Sequence, residues 1–347
     1  MNAGHVRPAD GESRRGVRGV VPAGPPGRVA FGGQAQLAPA RGSRGRHAGA
    51  APPSAGQAVA EQLPVAVGWL RRVVKVARSS PLGSTAVAIL VAMFVFCFLG
   101  PLVYHTDQVH VFFRLADLSP RAGHPLGTDG DGDDELGRLM VGGQASLEVG
   151  IAAGLLAAIL GSLWGAVAGY LGGAADAVMM RIVDAGISIP TIVVLLLVVS
   201  IYRPTQAVLV LVIAATSWLG TARLVRAEAL ALRTREYVQM VRVMGGASPR
   251  AVLRHIAPNA LGTIAVNVTF QIGNAILILA TLSYLGLGVQ FPAVDWGNMI
   301  NSAVQTVSSG YWWQIVSPGV ALMLVVVAFT MLGDALRDGL KSKTRGR

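Results

Sequence analysis

Residues 84–104 read STAVAILVAMFVFCFLGPLVY, a run of 21 residues without one charged side chain. A helix of about 20 apolar residues is long enough to cross the hydrocarbon core of a bilayer, which is about 30 Å thick. The preceding segment, WLRRVVKVAR at 69–78, is strongly basic. Basic flanks stay in the cytoplasm, so this run predicts a transmembrane helix that starts at the cytoplasmic face.

The rest of the chain repeats this pattern. Of its 347 residues, 52% are hydrophobic and only 14% are charged, whereas soluble domains carry about 25% charged residues. Further apolar runs lie at about 146–170 and 188–202, from Pro204 to the TARLVR cluster at 221–226, and at about 258–287 and 315–333. We therefore predict an all-α polytopic membrane protein with six transmembrane helices, whose membrane domain spans residues 66–342.

The basic residues show how these helices are oriented. They are concentrated before residue 79, between Arg223 and Arg254, and after Leu336. Six spans with both termini in the cytoplasm place all three clusters inside, as the positive-inside rule requires. The net charge of +11 is thereby explained without nucleic acid as a partner. The acidic loop at 105–143 is expected outside, and the single cysteine, Cys97, excludes an intrachain disulfide.

The two ends of the chain differ from its middle. Residues 1–65 are rich in Gly, Ala, Pro and Arg, and they contain no apolar run long enough for a signal peptide. Such a composition cannot bury enough apolar surface to fold, so we expect a disordered cytoplasmic tail. Binding of its arginines to nucleic acid or anionic lipid is the alternative. Residues 343–347 form a short basic tail.

Glycines recur at four-residue spacing in two sets in the second apolar run, at positions 150 and 154 and then at 161, 165 and 169. This spacing places small residues on one helix face, where another backbone can approach closely. We favour a helix of a partner subunit as the neighbour. The alternative is packing within this chain.

The longest polar segment inside the apolar region runs over about 223–257, with seven Arg and two Glu from Arg223 to His255. A helix-compatible stretch ends at Gly245-Gly246, Ser248-Pro249 begins a second short helix, and Pro258 starts the next span. A short helix between two breakers suits docking into a groove of a soluble partner. An amphipathic linker on the membrane surface explains the same pattern.

Four separated motifs resemble, in order, those of binding-protein-dependent ABC importer permeases. They are HPLGTD at 124–129, the EAA-type loop with Gly245 followed by His255, Pro258 and Asn259, YLGLGVQFPAVDWGNM at 284–299, and GDALRDGL at 333–340. Together they are similar to the second permease of the dipeptide, oligopeptide and nickel importers, over about residues 70–342. The resemblance implies a type I importer permease of the bacterial cytoplasmic membrane.

In that family the loop docks in a cleft of an ATPase subunit and transmits its nucleotide-driven motion to the spans. The resemblance implies this coupling role for Glu236, Gly245, Ser248, Arg254, His255, Pro258 and Asn259. It also implies a second permease, two ABC ATPases that hold ATP and Mg, and an extracytoplasmic substrate-binding protein. The chain departs from the family where Glu-Ala-Ala is replaced by Gln239-Met240-Val241, and where Gly-Arg-Asp is replaced by Gly132-Asp133-Asp134.

Two polar features inside and outside the membrane are candidates for sites. Thr263, Asn267, Gln271 and Asn274 form a stripe on the fifth span, which we expect to line the translocation path; hydrogen bonding between helices is the alternative. The acidic run from Asp129 to Glu135 lacks the Gly and Glu of an EF-hand at the sixth and twelfth positions, so no metal site is predicted. We expect a solvated loop, and weak attraction of cations is the alternative.

The sequence lacks the residues that other classes of function require. There is no phosphate-binding Gly-x-x-x-x-Gly-Lys-Ser/Thr and no reactive constellation, so the chain is expected to bind no cofactor and to be no enzyme. An ion-coupled secondary transporter would need ionisable residues in its spans, and Glu148 is nearly alone there. Short peptides are the expected substrate, with nickel or another small solute as the alternative within the same family.

Overall fold

The computed structural model describes residues 80–106, 110, 112–202, 204–233 and 257–345, which form eight α-helices without a β-strand in those ranges. The helices, numbered here in chain order, are α1 Pro81–Val103, α2 Glu135–Leu171, α3 Gly173–Ser188, α4 Thr191–Ile201, α5 Gln206–Arg233, α6 Ala257–Tyr284, α7 Trp296–Thr306 and α8 Trp313–Arg345. Short 3₁₀ helices lie at Phe113–Leu115 and Val307–Ser309.

Five of these helices, α1, α2, α5, α6 and α8, are long and apolar enough to cross a membrane. Helices α3 and α4 pass the same test only together, and they are bent by 79° at a short break. Counting this bent pair as one span gives six, which confirms the sequence prediction. Pro190 stands at the break, where it removes a backbone donor and restricts the residue before it.

The second span begins earlier than predicted. Residues 135–143 were assigned to the outer loop, but α2 starts at Glu135 and runs for 37 residues. Asp134 caps it, since its carboxylate accepts a hydrogen bond of 2.9 Å from the Gly137 N–H. The helix ends at Gly172, whose φ of 65° is accessible to glycine at little cost.

A second correction concerns the connection between the fifth and sixth spans. We expected a loop after residue 287, but α7 occupies Trp296–Thr306 within it. Asp295 caps this helix by accepting hydrogen bonds from the N–H groups of Gly297 at 2.8 Å and Asn298 at 3.1 Å. At 11 residues the helix is too short and too polar to register as a span.

Three apolar clusters hold the bundle together, and α2 contributes to all of them. The first joins α1, α2, α6, α7 and α8 around the fully buried Trp296. The second joins α2, α4, α5 and α6 around Leu209 and Leu279. The third joins α2, α3 and α5 around Val183 and Ala222. Helix α2 is therefore central, whereas α1 has only 11% of its apolar window buried and lies at the periphery.

The glycine stripe of α2 packs inside this chain. A Cβ on Gly150 or Gly154 would collide with Ile276 or Ile272 of α6. A Cβ on Gly161, Gly165 or Gly169 would collide with α5. The prediction of a partner subunit at this face is therefore wrong, and the alternative of packing within the chain is correct. The glycines instead let α2 approach two of its own neighbours closely.

Candidate functional site

Most of the predicted coupling residues lie outside the described residues, which omit 234–256. This applies to Glu236, Gly245, Ser248, Arg254 and His255. Pro258 and Asn259 fall in the first turn of α6, which begins at Ala257. The prediction that Pro258 starts a span is confirmed, because α6 begins one residue before it. Proline is favoured in a first helical turn, where its missing N–H is not needed.

The helices on either side of this segment are described. Helix α5 ends at Arg233 and α6 starts at Ala257. Near its end, α5 carries two arginines that pair with aspartates of α3. Arg226 donates to both carboxylate oxygens of Asp176, at 2.5 and 2.6 Å. Arg223 Nη2 donates to Asp184 Oδ1 at 2.6 Å. The α5 end of the loop is thus fixed to α3 by ion pairs.

The polar stripe of α6 divides into two parts. Asn267 Nδ2 donates to Thr221 Oγ1 at 2.9 Å, and Gln271 Nε2 donates to the Ser217 carbonyl at 2.6 Å. Both partners belong to α5, so these two amides make the interhelical hydrogen bonds that the alternative interpretation required. Asn274 is exposed within this chain. Lining of a translocation path by this stripe stays a prediction, and Asn274 is its exposed amide.

The HPLGTD motif forms part of a cap at the end of the bundle where α2 and α8 begin. The Thr128 carbonyl accepts hydrogen bonds from Trp313 Nε1 at 3.1 Å and Gln314 Nε2 at 3.0 Å, both on α8. The Thr128 hydroxyl donates to the Leu115 carbonyl. His124 Nδ1 lies 2.8 Å from Asp134 Oδ2. The motif therefore ties the outer loop to the start of both α2 and α8.

The acidic run is paired internally. Arg138, one turn into α2, lies 3.0 Å from Asp129 and also bonds to Asp133. Burial raises the pKa of Asp129, while the Arg138 charge opposes that shift. Asp134 is occupied as the helix cap and accepts a hydrogen bond from Tyr104 at 3.0 Å. In the described part of the chain, no group of three or more His, Cys, Asp or Glu could hold a metal ion.

The motif at 284–299 is organised by a buried carboxylate. Asp295 has no exposed surface. Besides capping α7, it accepts hydrogen bonds from Ser283 Oγ at 2.7 Å and from the Val289 N–H at 3.3 Å. Burial raises the pKa of Asp295, and these hydrogen bonds oppose the shift because they favour the charged form. This one side chain therefore fixes the end of α6, the connecting loop and α7 together.

Trp296, the next residue, locks the same unit onto α2. Its indole Nε1 donates to the Leu139 carbonyl at 3.0 Å, and its backbone N–H donates to Ser146 Oγ at 3.1 Å.

A sequence model described as "Binding-protein-dependent transport system inner membrane component" matches residues 161–346, more than half of the chain. The chain belongs to this family.

Individual relatives agree over most of their length. The chain is 34% identical to the dipeptide transport system permease protein DppC of Bacillus subtilis (strain 168) over 268 residues, which cover 77% of this chain and 84% of that relative. It is 37% identical to the oligopeptide transport system permease protein OppC of Escherichia coli (strain K12), over 76% of this chain and 86% of the relative. The oligopeptide permease OppC of Bacillus subtilis (strain 168) is 32% identical, with 77% and 88% covered.

This chain is therefore a multi-pass permease subunit of a binding-protein-dependent transport system. The family match begins in the last third of α2 and covers the loop between α5 and α6 as well as the motifs at 284–299 and 333–340. The motif resemblance seen in the sequence is confirmed by this match.

Several residues of the permease that hold its architecture were not predicted. Asp295 and Trp296 were noted only as parts of a motif, and Arg138, Arg226 and Asp176 were not singled out. The available signal for α7 was an Asp directly before an apolar residue, which marks a helix N-cap. The Arg226–Asp176 pair left no signal, because its two residues lie 50 positions apart in the chain.

Proposed function

We propose that this permease imports short peptides, dipeptides or oligopeptides, across the bacterial cytoplasmic membrane in an ATP-driven importer. The observation that carries the proposal is the similarity to dipeptide and oligopeptide transport permeases over more than four fifths of their length. The 268 aligned residues make up 77% of this chain. The substrate class of these relatives is therefore the best guide to what passes through this one.

The complex that we propose contains this chain, a second permease, two ATPase subunits and an extracytoplasmic substrate-binding protein. Both termini and the segment 234–256 face the cytoplasm. The support for this orientation is the position of the basic clusters, which include seven arginines between 223 and 255. ATP and Mg are bound by the ATPase subunits, since this chain has no phosphate-binding loop. The chain itself contributes a path and a docking segment.

The docking segment is the loop with Glu236, Gly245, Ser248, Arg254, His255, Pro258 and Asn259. ATP binding closes the two ATPases, which displaces this loop. A rigid connection from the loop into the spans then moves the bundle from inward-open to outward-open. The described structure supports this proposal at one point: α6 begins at Ala257, so the C-terminal end of the loop enters a transmembrane helix without an intervening linker.

The path that we propose runs along the exposed side of α6. Asn274 is exposed there together with Leu277 and Thr281. An amide and a hydroxyl can hydrogen-bond to a peptide backbone, and they bear no charge that would select one side chain over another. Asn267 and Gln271, which bond to α5, act in the path only if α5 moves away. Within the resting bundle they hold the wall of the path together.

The experiment that tests the function is purification of this chain from its native membrane in mild detergent, followed by mass spectrometry. Recovery of a second permease and one or two ATPases with phosphate-binding motifs is the expected result. The same complex in liposomes, supplied with its binding protein, should accumulate a labelled dipeptide only when ATP is inside. Uptake of nickel in place of the peptide would refute the substrate. Recovery of this chain alone, even after cross-linking, would refute the importer.

A further inference from the structure

Two ion pairs, for which the family match does not account, attach helix α3 to the cytoplasmic end of α5. Asp176 is buried and receives two parallel hydrogen bonds from the guanidinium of Arg226. Asp184, two turns further along α3, pairs with Arg223, and both of those side chains are 48% exposed. Bidentate Arg–carboxylate pairs fix orientation as well as distance. The Asp176 pair therefore determines how α3 is oriented on α5.

The two pairs join α3 to α5 at two points. The aspartates are eight residues apart on α3, roughly 12 Å of helix, and their arginines are three apart on α5, roughly 4.5 Å. Helix α3 is bent by 79° from α4. It forms an elbow, defined here as Gly173–Ser188, between α2 and α4.

Packing under the elbow is close and apolar. Trp164 of α2 donates its indole N–H to the Met179 carbonyl at 3.3 Å and stacks edge-on against Trp218 of α5, with ring centroids 5.2 Å apart. A Cβ on Gly186 would meet Leu219 at 2.8 Å. Aromatic and aliphatic contacts with α2 and α5 thus fix the elbow, and the ion pairs fix it near its two ends.

The position of this contact gives it a role in transport. Arg226 lies seven residues before Arg233, where α5 ends, or roughly 10 Å from the start of the 234–256 segment. At its other end the elbow continues into α4, whose Leu195 and Val199 pack with Leu209 in the second apolar cluster. A displacement of the loop reaches the end of α5 first and the elbow next.

We propose that Asp176 and Arg226 are positioning residues that make the elbow move as one body with the loop-bearing end of α5, so that displacement of the loop turns α4. The exposed pair of Arg223 and Asp184 adds little, because solvent screens it. The inference rests on the coupling role proposed above for the loop. It adds that a second route, through α5, α3 and α4, carries the motion alongside the direct route into α6.

The test uses the whole transporter, with both permeases, both ATPases and the binding protein, reconstituted in liposomes. Variants are Asp176→Asn, Arg226→Lys and the exchange Asp176→Arg with Arg226→Asp. Arg181→Gln on the exposed side of α3 is the matched control, since the structure shows no ion pair for Arg181 among the described residues. Labelled dipeptide taken up and ATP hydrolysed are measured together on preparations with equal subunit content.

The expected result for Asp176→Asn is normal assembly, retained ATP hydrolysis and an uptake per ATP reduced about tenfold, as for residues that couple two sites without touching either ligand. The exchange variant should recover most of the ratio, and Arg181→Gln should keep the wild-type ratio. An altered ratio at equal assembly separates positioning from mere structural support, which would lower the amount of complex without altering its coupling.

An unchanged ratio in Asp176→Asn would overturn the inference, as would an exchange variant that assembles but stays uncoupled. If Asp176→Asn does not assemble, Arg226→Lys decides, because it keeps the charge and removes the two parallel hydrogen bonds. A wild-type ratio in Arg226→Lys then overturns the inference. Other results would refute the proposed function itself. These are a wild-type complex that shows no ATP-dependent uptake, or a His255→Ala complex that shows normal uptake.

Discussion

The close contact between α2 and α5 gives a quantitative test of the fold through Gly165→Ala. A Cβ at this position would lie 2.4 Å from the Ala222 carbonyl oxygen and 2.9 Å from the Arg226 backbone nitrogen. Carbon atoms in good contact sit about 3.5–4.0 Å from their neighbours. The helices must therefore separate by about 1 Å. Both obstructing atoms are backbone, so no side-chain rotation can relieve the collision.

The expected magnitude follows from two opposing effects. Overpacking of one methyl group in a close-packed interior costs about 1–3 kcal/mol. Replacing Gly by Ala in a helix contributes up to about 1 kcal/mol in the favourable direction. Gly220→Ala, on α5, has the second effect without the first, because among the described residues no atom beyond its own helix backbone lies within 4 Å of the added Cβ. The two variants should therefore differ in unfolding free energy by roughly 2 kcal/mol.

The chain supplies its own reporter for this comparison. Cys97 is the single cysteine and has no exposed surface. A thiol-reactive dye therefore becomes fluorescent only as the bundle opens on heating in detergent. Gly165→Ala should melt about 4–8 °C below Gly220→Ala, at 2–4 °C per kcal/mol for a chain of this class. Equal melting temperatures would show that α2 and α5 are not in backbone contact at this point.

Three further predictions use the same preparations. Asp295→Ala leaves a hydroxyl and three backbone N–H groups without their acceptor. It should lower the free energy of unfolding by about 3 kcal/mol or more and lower the melting temperature sharply. An unchanged melting curve would contradict the role of this carboxylate. Gln271→Ala should lower the melting temperature because its bond to α5 is lost, whereas Asn274→Ala should alter peptide uptake at unchanged stability. Replacement of Arg254 and His255 by Ala should abolish uptake with membrane insertion intact, as measured by protease protection, and normal uptake would refute the coupling role.

The positions of the spans could be read from the sequence because hydropathy is a sum over about 20 residues. Each long helix described here overlaps a predicted run. The errors fall at helix ends and in the connection before the last span, where α7 replaces the expected loop. Glu135 and Arg138 look like loop residues by composition, but Glu135 is buried and bonded to Ser317 Oγ at 2.8 Å. A polar residue that finds its partner 182 positions away has no local signature.

The candidate site was predicted from motifs. A motif does not distinguish residues that take part in transport from residues that support the fold. HPLGTD and the motif at 284–299 indicated the permease family. In the structure, Thr128 and Asp295 use their polar atoms in internal hydrogen bonds. These residue types are needed because they cap a helix and anchor loops. A motif therefore identified the family correctly while leaving the role of its members to be read from contacts.

The polar stripe of α6 shows why periodicity stops short of assigning a role. At about 100° per residue, Asn267, Gln271 and Asn274 fall within about 60° of one another around the helix, which is why they form one stripe in the sequence. A neighbouring helix covers part of such a sector and leaves the rest uncovered. Helix α5 takes the amides of Asn267 and Gln271 through Thr221 and Ser217 and leaves Asn274 exposed. The helical period determines which residues share a face. The crossing of two helices, which depends on residues far apart in the chain, determines which of them bind a neighbouring helix and which stay exposed.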